Sequence, residues 1–230
     1  MQYPTTTVIE SEPNVLAANR FLTAVYGWMT GALVISAGIA WWGGHSAAFL
    51  QFLAQKPGLV MGLIVIQLVA VIALAGWVQR MSMIVAVALF FGYAALTGLT
   101  LSTIFVVYTT ASIVQAFAAS AGMFGAMSLY GYFTKRDLTG WGSFLFMSLI
   151  GLIIASLVNL FMNSHFLTWV TTYAGIIIFA GLAAYDTWRL KMMGAHAGDH
   201  KNLAIHGALT LYLDFINLFL HLLRVMGHRR

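Results

Sequence analysis

HGALTLYLDFINLFLHLLRVMGH, residues 206–228, decides the fold. Its leucines and aromatics make a run long enough to cross about 30 Å of hydrocarbon, which takes about 20 apolar residues in a helix. Through that run recur His206, Thr210, Asp214, Asn217, His221, Arg224 and His228, at steps of three and four. At about 100° per residue they share an arc of roughly 80°. Leu209, Leu213, Ile216, Leu220 and Leu223 make an apolar stripe on the flank beside it. A polar stripe on an apolar membrane helix must face protein or a water-filled cavity, never lipid. The stripe is therefore either an interhelical hydrogen-bond seam or the wall of a gated pathway through His206, Thr210, Asn217 and His221, and the second reading is preferred.

Outward from this segment the whole chain reads the same way. Of 230 residues, eleven are Lys or Arg and six are Asp or Glu, so charged residues are 7% and apolar ones 61%. Soluble domains carry about 25% charge, and a 25.1 kDa globule could not wet its surface with so few. Intrinsic disorder needs the opposite composition. Cutting at polar clusters predicts seven spans: Phe21–Trp42, Gly58–Gln79, Met83–Tyr108, Ser112–Phe133, Gly142–Met162, Leu167–Arg189 and Leu203–Met226. The joints leave no room for a soluble domain. The expected fold class is an all-α polytopic membrane protein, with a polar cytoplasmic tail over residues 1–20 and one seven-helix domain over 21–230. The runs lack the period-two alternation of a membrane barrel.

The net charge of +5 places basic loops beside anionic lipid rather than nucleic acid. With the N-terminus inside, the cytoplasmic side collects Arg20, Arg80, Lys135, Arg136, Arg189, Lys191 and Lys201, against Lys56, Arg224, Arg229 and Arg230 outside. That asymmetry favours a cytoplasmic N-terminus. The basic residues after Arg224 then fall on the unfavoured side, unless the last segment re-enters and returns. The first twenty residues have no basic n-region and no cleavage pattern, so no signal peptide is expected. Cysteine is absent, which excludes thiol chemistry. Gly27/Gly31 and Gly58/Gly62 are four-residue pairs that would allow close helix contact.

Four of the six acids fall in the tail or loops; Asp186 and Asp214 lie within apolar runs. An ionised carboxylate near the bilayer centre costs at least about 2.5 kcal/mol. A chain this sparing with charge is not expected to carry two such groups without a partner or a use. They meet only if the sixth helix runs past Arg189 toward Gly194, or the seventh begins in water.

Two parts of the chain, the second made of two separate motifs, resemble bacterial members of the Bax inhibitor-1 (TMBIM) family. One is Tyr93 through Asp137, with YAALTGLTLSTIF early and MFGAMSLYGYFTKRD late. The other comprises Ala184–Thr187, reading AYDT, and Gly207–Phe219, reading GALTLYLDFINLF. The similarity covers nearly the whole chain after about Leu16. It implies seven helices, the last one central in a six-helix surround, in the bacterial inner membrane. It implies a pH-sensitive calcium leak gated by an aspartate pair matching Asp186 and Asp214, with Ca²⁺ as weakly bound permeant ion and no other cofactor. Arg80 ends the second segment and takes the place of the family's latching arginine. Two close carboxylates do not both ionise easily, so the pair would share a proton and titrate as a unit.

Other classes fit less well. An intramembrane aspartyl protease would use Tyr185-Asp186, but the residues before Asp214 lack the glycines that admit a substrate backbone. A non-conducting regulator, binding partners such as a membrane protease through the N-terminal tail, is the main alternative. A proton-coupled transporter is the remaining one. Membrane lipids are expected partners in every case.

Overall fold

The computed structural model of the chain describes residues 15–196 and 201–228. Its helices are α1 (Val15–His45), α2 (Ala47–Gln55), α3 (Pro57–Trp77), α4 (Met83–Leu101), α5 (Ile104–Val107), α6 (Thr110–Phe133), α7 (Thr139–Met162), α8 (His165–His196) and α9 (Lys201–Met226), with a 3₁₀ turn at Val78–Arg80. Among the described residues seven spans are long and apolar enough to cross a membrane, α4 and α5 together forming the third. The protein is an all-α polytopic membrane protein.

Each predicted span is present, and the differences lie at the ends and joints. Helix α1 already includes residues 15–20 of the expected tail over 1–20, and residues 1–14 lie outside those described. The joint Gly43–Pro57 contains α2, capped by Ser46, whose Oγ accepts from Phe49 N at 3.3 Å. The third span breaks after α4, where Ser102 turns its hydroxyl onto Leu99 O (2.6 Å) instead of continuing the helix. The sixth helix runs seven residues past Arg189, to His196.

Lipid tails are as apolar as leucine, so hydrophobicity alone does not decide which helix lies inside a membrane bundle. Polarity does. Helix α9 carries the stripe and is the most enclosed span, with 61% of it buried against 39% at most elsewhere. Helices α1, α4, α6 and α8 pack around it, while α7 packs chiefly on α8 at the edge of the surround. Small residues let these neighbours close. A Cβ at Gly131 of α6 would run into the backbone carbonyl of Ala184 on α8. The sequence pairs are not used this way: Gly27, Gly58 and Gly62 have open space around them, and Gly31 has ordinary contact with Phe91.

Helix α9 does not re-enter. It is continuous from Lys201 to Met226, and the chain beyond it is tied to the connection before α6. Thr109 N donates to His228 O (3.2 Å), and His228 N donates to Ser112 Oγ (3.0 Å). Thus the end of α9 lies on the face opposite the start of α1, as an odd number of spans requires.

Candidate functional site

The long α8 brings the two intramembrane acids level. Asp186 lies ten residues before His196, and Asp214 lies thirteen after Lys201. At 1.5 Å per residue these are depths of about 15 and 20 Å from the α8–α9 connection. Both are buried, Asp186 at 7% and Asp214 at 5% exposure. Their carboxyls come within hydrogen-bonding reach of each other, a contact that is favourable only with a proton on one of them.

The stripe on α9 faces α8 along its length. Near the connection, the Arg189 charge acts on both Asp186 and His206. At mid-depth stands the aspartate pair. Further along, the His221 ring fills the space over Gly175, where a Cβ could not fit, and stacks on Phe179 with centroids 5.7 Å apart. At the far end Arg224 Nη1 reaches Thr172 Oγ1 at 3.4 Å, beside a cavity of about 300 Å³ also lined by His165 and Trp169. Thr210 and Asn217 behave differently from their neighbours. Each returns its donor to its own helix, Thr210 Oγ1 to His206 O (3.1 Å) and Asn217 Nδ2 to Leu213 O (2.8 Å).

Buried polar atoms nearly always find partners. Among the described residues four buried side-chain atoms are without one, and three of them lie on this stripe: His206 Nδ1, Asp214 Oδ2 and His221 Nδ1. The fourth is Ser128 Oγ. Among the described residues no three His, Cys, Asp or Glu side chains cluster as a metal site would need.

Arg80, the latch expected from topology, ends the 3₁₀ turn with its side chain exposed. The cation whose charge reaches Asp186 is Arg189. The signal for it was present in the sequence, since Arg189 follows Asp186 by three residues and so shares its helix face. A second polar knot was not anticipated. Ser36 Oγ on α1 joins Tyr212 Oη (2.7 Å) and donates toward the backbone carbonyl of Ala94 (2.7 Å), tying α1, α4 and α9 together. Tyr212 packs edge-on against Phe90 and Tyr93. A lone serine among apolar residues gives no hint of this, because its partner lies 176 positions away.

An apolar seven-span bundle around a central helix, with two buried acids facing each other at mid-depth, defines the class as an all-α polytopic membrane protein. Residues 18–230 match the family described as Inhibitor of apoptosis-promoting Bax1. The inner membrane protein YbhL of Escherichia coli K12 is 54% identical over 91% of this chain and 92% of its own. An uncharacterized protein of Borreliella burgdorferi is 44% identical over 96% and 97%, and one of Deinococcus radiodurans is 42% identical over 91% and 90%. The chain belongs to the Bax inhibitor-1 family.

Proposed function

We propose that this protein is a pH-sensitive cation leak of the bacterial inner membrane, with Ca²⁺ as the permeant ion and the Asp186–Asp214 pair as its gate. The observation that carries this is the approach of two buried carboxyls to within hydrogen-bonding reach. A hydrogen bond between them exists only at an intermediate proton count. Removing the shared proton places two negative charges at hydrogen-bonding distance in a medium of low dielectric, where repulsion is strong. Helices α8 and α9 then separate at that level, and the rest of the stripe becomes the wall of a path. The three unpartnered atoms on the stripe support this, because water or a passing ion could satisfy them. The location accords with the name of the Escherichia coli relative, an inner membrane protein.

Calcium takes six to eight oxygen ligands. Two aspartates supply part of such a shell, while Thr210 and Asn217 use their donors on α9 itself. That suits brief contact with a partly hydrated ion, not storage. Arg189 takes the latching role, with Arg80 as the alternative. Leu211 and Tyr212, wholly buried just before Asp214, leave no space for an extended substrate and weigh against proteolysis.

The test is calcium flux into proteoliposomes across pH. Asp186→Asn and Asp214→Asn should flatten the pH dependence of the wild type, and Arg189→Gln should shift it more than Arg80→Gln. Unaltered profiles in both Asn variants sink the gate. Absence of flux in the wild type would turn the assignment toward a non-conducting regulator of other membrane proteins.

A further inference from the structure

Helices α1 and α6 run antiparallel, and both pack on α8 and α9, but they scarcely touch each other. A furrow remains between them, opening sideways toward the membrane. In the half nearer the opposite face it holds a cavity of about 200 Å³ with walls that include Leu33, Trp41, Ile113 and Phe117 and a floor of Phe215 and Phe219. In the half nearer the start of α1 it holds a second cavity of about 600 Å³. Phe117 and Phe124 of α6, both packed on Phe215, stand between the two. On α1 the furrow reaches from Asn19 to Trp41, about 33 Å at 1.5 Å per residue, which matches the hydrocarbon thickness.

The larger cavity is amphiphilic. Leu22, Leu129 and Phe133 supply apolar wall, and Thr23, Tyr26, Ser128, Tyr132 and Thr187 line it with hydroxyls. Most of these are spoken for: Tyr26 pairs with Thr187 (2.8 Å), and Tyr132 Oη donates to Asn19 Oδ1 (2.7 Å) across the mouth. Ser128 is not. Its Oγ is buried without a partner, on a side chain only 7% exposed. Leu129 and Phe133 are largely exposed, so the opening faces acyl chains rather than bulk water. Basic residues lie about the mouth: Arg20 beside Asn19, Lys135 and Arg136 just after α6, and Lys191, whose Nζ donates to Tyr132 O (2.7 Å). Such a rim attracts anionic headgroups.

The geometry points to a phospholipid site in this furrow, with an anionic lipid of the leaflet at the α1 start as its occupant. Its phosphate sits against the basic rim, and the acyl chains leave over Leu129 and Phe133. This site is separate from the aspartate pair and stands whether or not the chain conducts.

The full chain, stripped of lipid in mild detergent, is titrated with dioleoylphosphatidylglycerol and followed by native mass spectrometry. One lipid per chain should bind ahead of the rest, in preference to dioleoylphosphatidylcholine. Gly125 lines the cavity and has open space around it, so Gly125→Leu fills the site without a clash and should weaken that first binding at least tenfold. Gly151→Leu, also in open space but on α7, should not, and both variants should unfold at the wild-type temperature. Equal binding in wild type and Gly125→Leu, or equal loss in both variants, overturns the site. Because the chain has no cysteine, Thr23→Cys supplies a second readout in phosphatidylglycerol vesicles. Protection from a charged maleimide is expected, and rapid labelling would make the furrow a water-filled vestibule and overturn the proposal.

Discussion

Asp186 and Asp214 face each other across the α8–α9 seam, at nearly matching distances from the connection that joins their helices. A proton held between the two carboxyls predicts a difference between isosteres. In Asp186→Asn or Asp214→Asn an amide N–H replaces the carboxyl O–H, so the contact survives and stability should stay near wild type. In Asp186→Leu or Asp214→Leu the remaining carboxyl has no donor, and an unsatisfied buried group costs about 1–3 kcal/mol. Thermal unfolding in detergent should rank the variants in that order, and infrared difference spectra should lose the protonated-carboxyl band in both Asn variants.

The pair is positioned by close backbone approach. Gly131 of α6 lies against the carbonyl of Ala184, two residues before Asp186, and backbone cannot swing aside as a side chain can. Gly131→Ala should therefore destabilise by about 1–3 kcal/mol, the usual cost of overpacking, and should disturb flux gating as α8 is pushed away. Gly122→Ala on the same helix meets nothing within 4 Å and should be neutral or slightly stabilising. Paired unfolding curves check this.

Span positions were legible because a membrane helix is written in one dimension: a long apolar run bounded by polar residues. The stripe on α9 was legible for the same reason, since its period is local. What could not be read were relations between helices. Gly27/Gly31 has the spacing of a contact pair and makes no close packing, whereas Gly131 and Gly175 have no partner at that spacing and do. The extension of α8 beyond Arg189 was one of two open alternatives, because Lys191 also reads as the start of a wet loop. In the fold Lys191 stays helical because its ammonium reaches the Tyr132 carbonyl.

The knot at Ser36 and Tyr212 should carry stability out of proportion to its size. Tyr212→Phe removes a 2.7 Å buried hydrogen bond and keeps the ring on Phe90 and Tyr93, so a loss of roughly 1 kcal/mol is expected. Ser36→Ala should cost a similar amount. The double variant should cost less than the two combined, because each removes the same contact. Additive losses would show that the hydroxyls are not coupled.

Outside the membrane, Asp137 accepts from the Thr139 hydroxyl (2.6 Å) and then from the Thr139 backbone N–H (2.8 Å), closing the turn that starts α7. The hydroxyl bond first, and the backbone bond second, hold this exposed carboxyl below its ordinary value of 3.8. A depressed folded value means the stabilisation is present above the unfolded pKa and is lost as pH falls through the folded one. Exchange protection of the Thr139 amide, corrected for intrinsic rate, should hold at pH 5 and decline below about pH 3.8. Asp137→Ala should show the low-pH behaviour at every pH.

The tie between His228 and the connection before α6 makes a topological prediction. Thr109 N and Ser112 Oγ hold the His228 backbone on the face away from the start of α1. An alkaline phosphatase fused after residue 228 should therefore be active in a bacterial host whose N-terminal fusion is cytoplasmic, and a fluorescent protein fused there should be dark. The basic residues beyond Arg224 would otherwise favour the cytoplasm, so the placement needs a local contact to hold it. Ser112→Ala removes the acceptor for His228 N and should leave the topology intact while raising proteolysis of the segment after Gly227 from that face. A fluorescent fusion at residue 228 would place both ends of the bundle on one side and contradict the seven-span path.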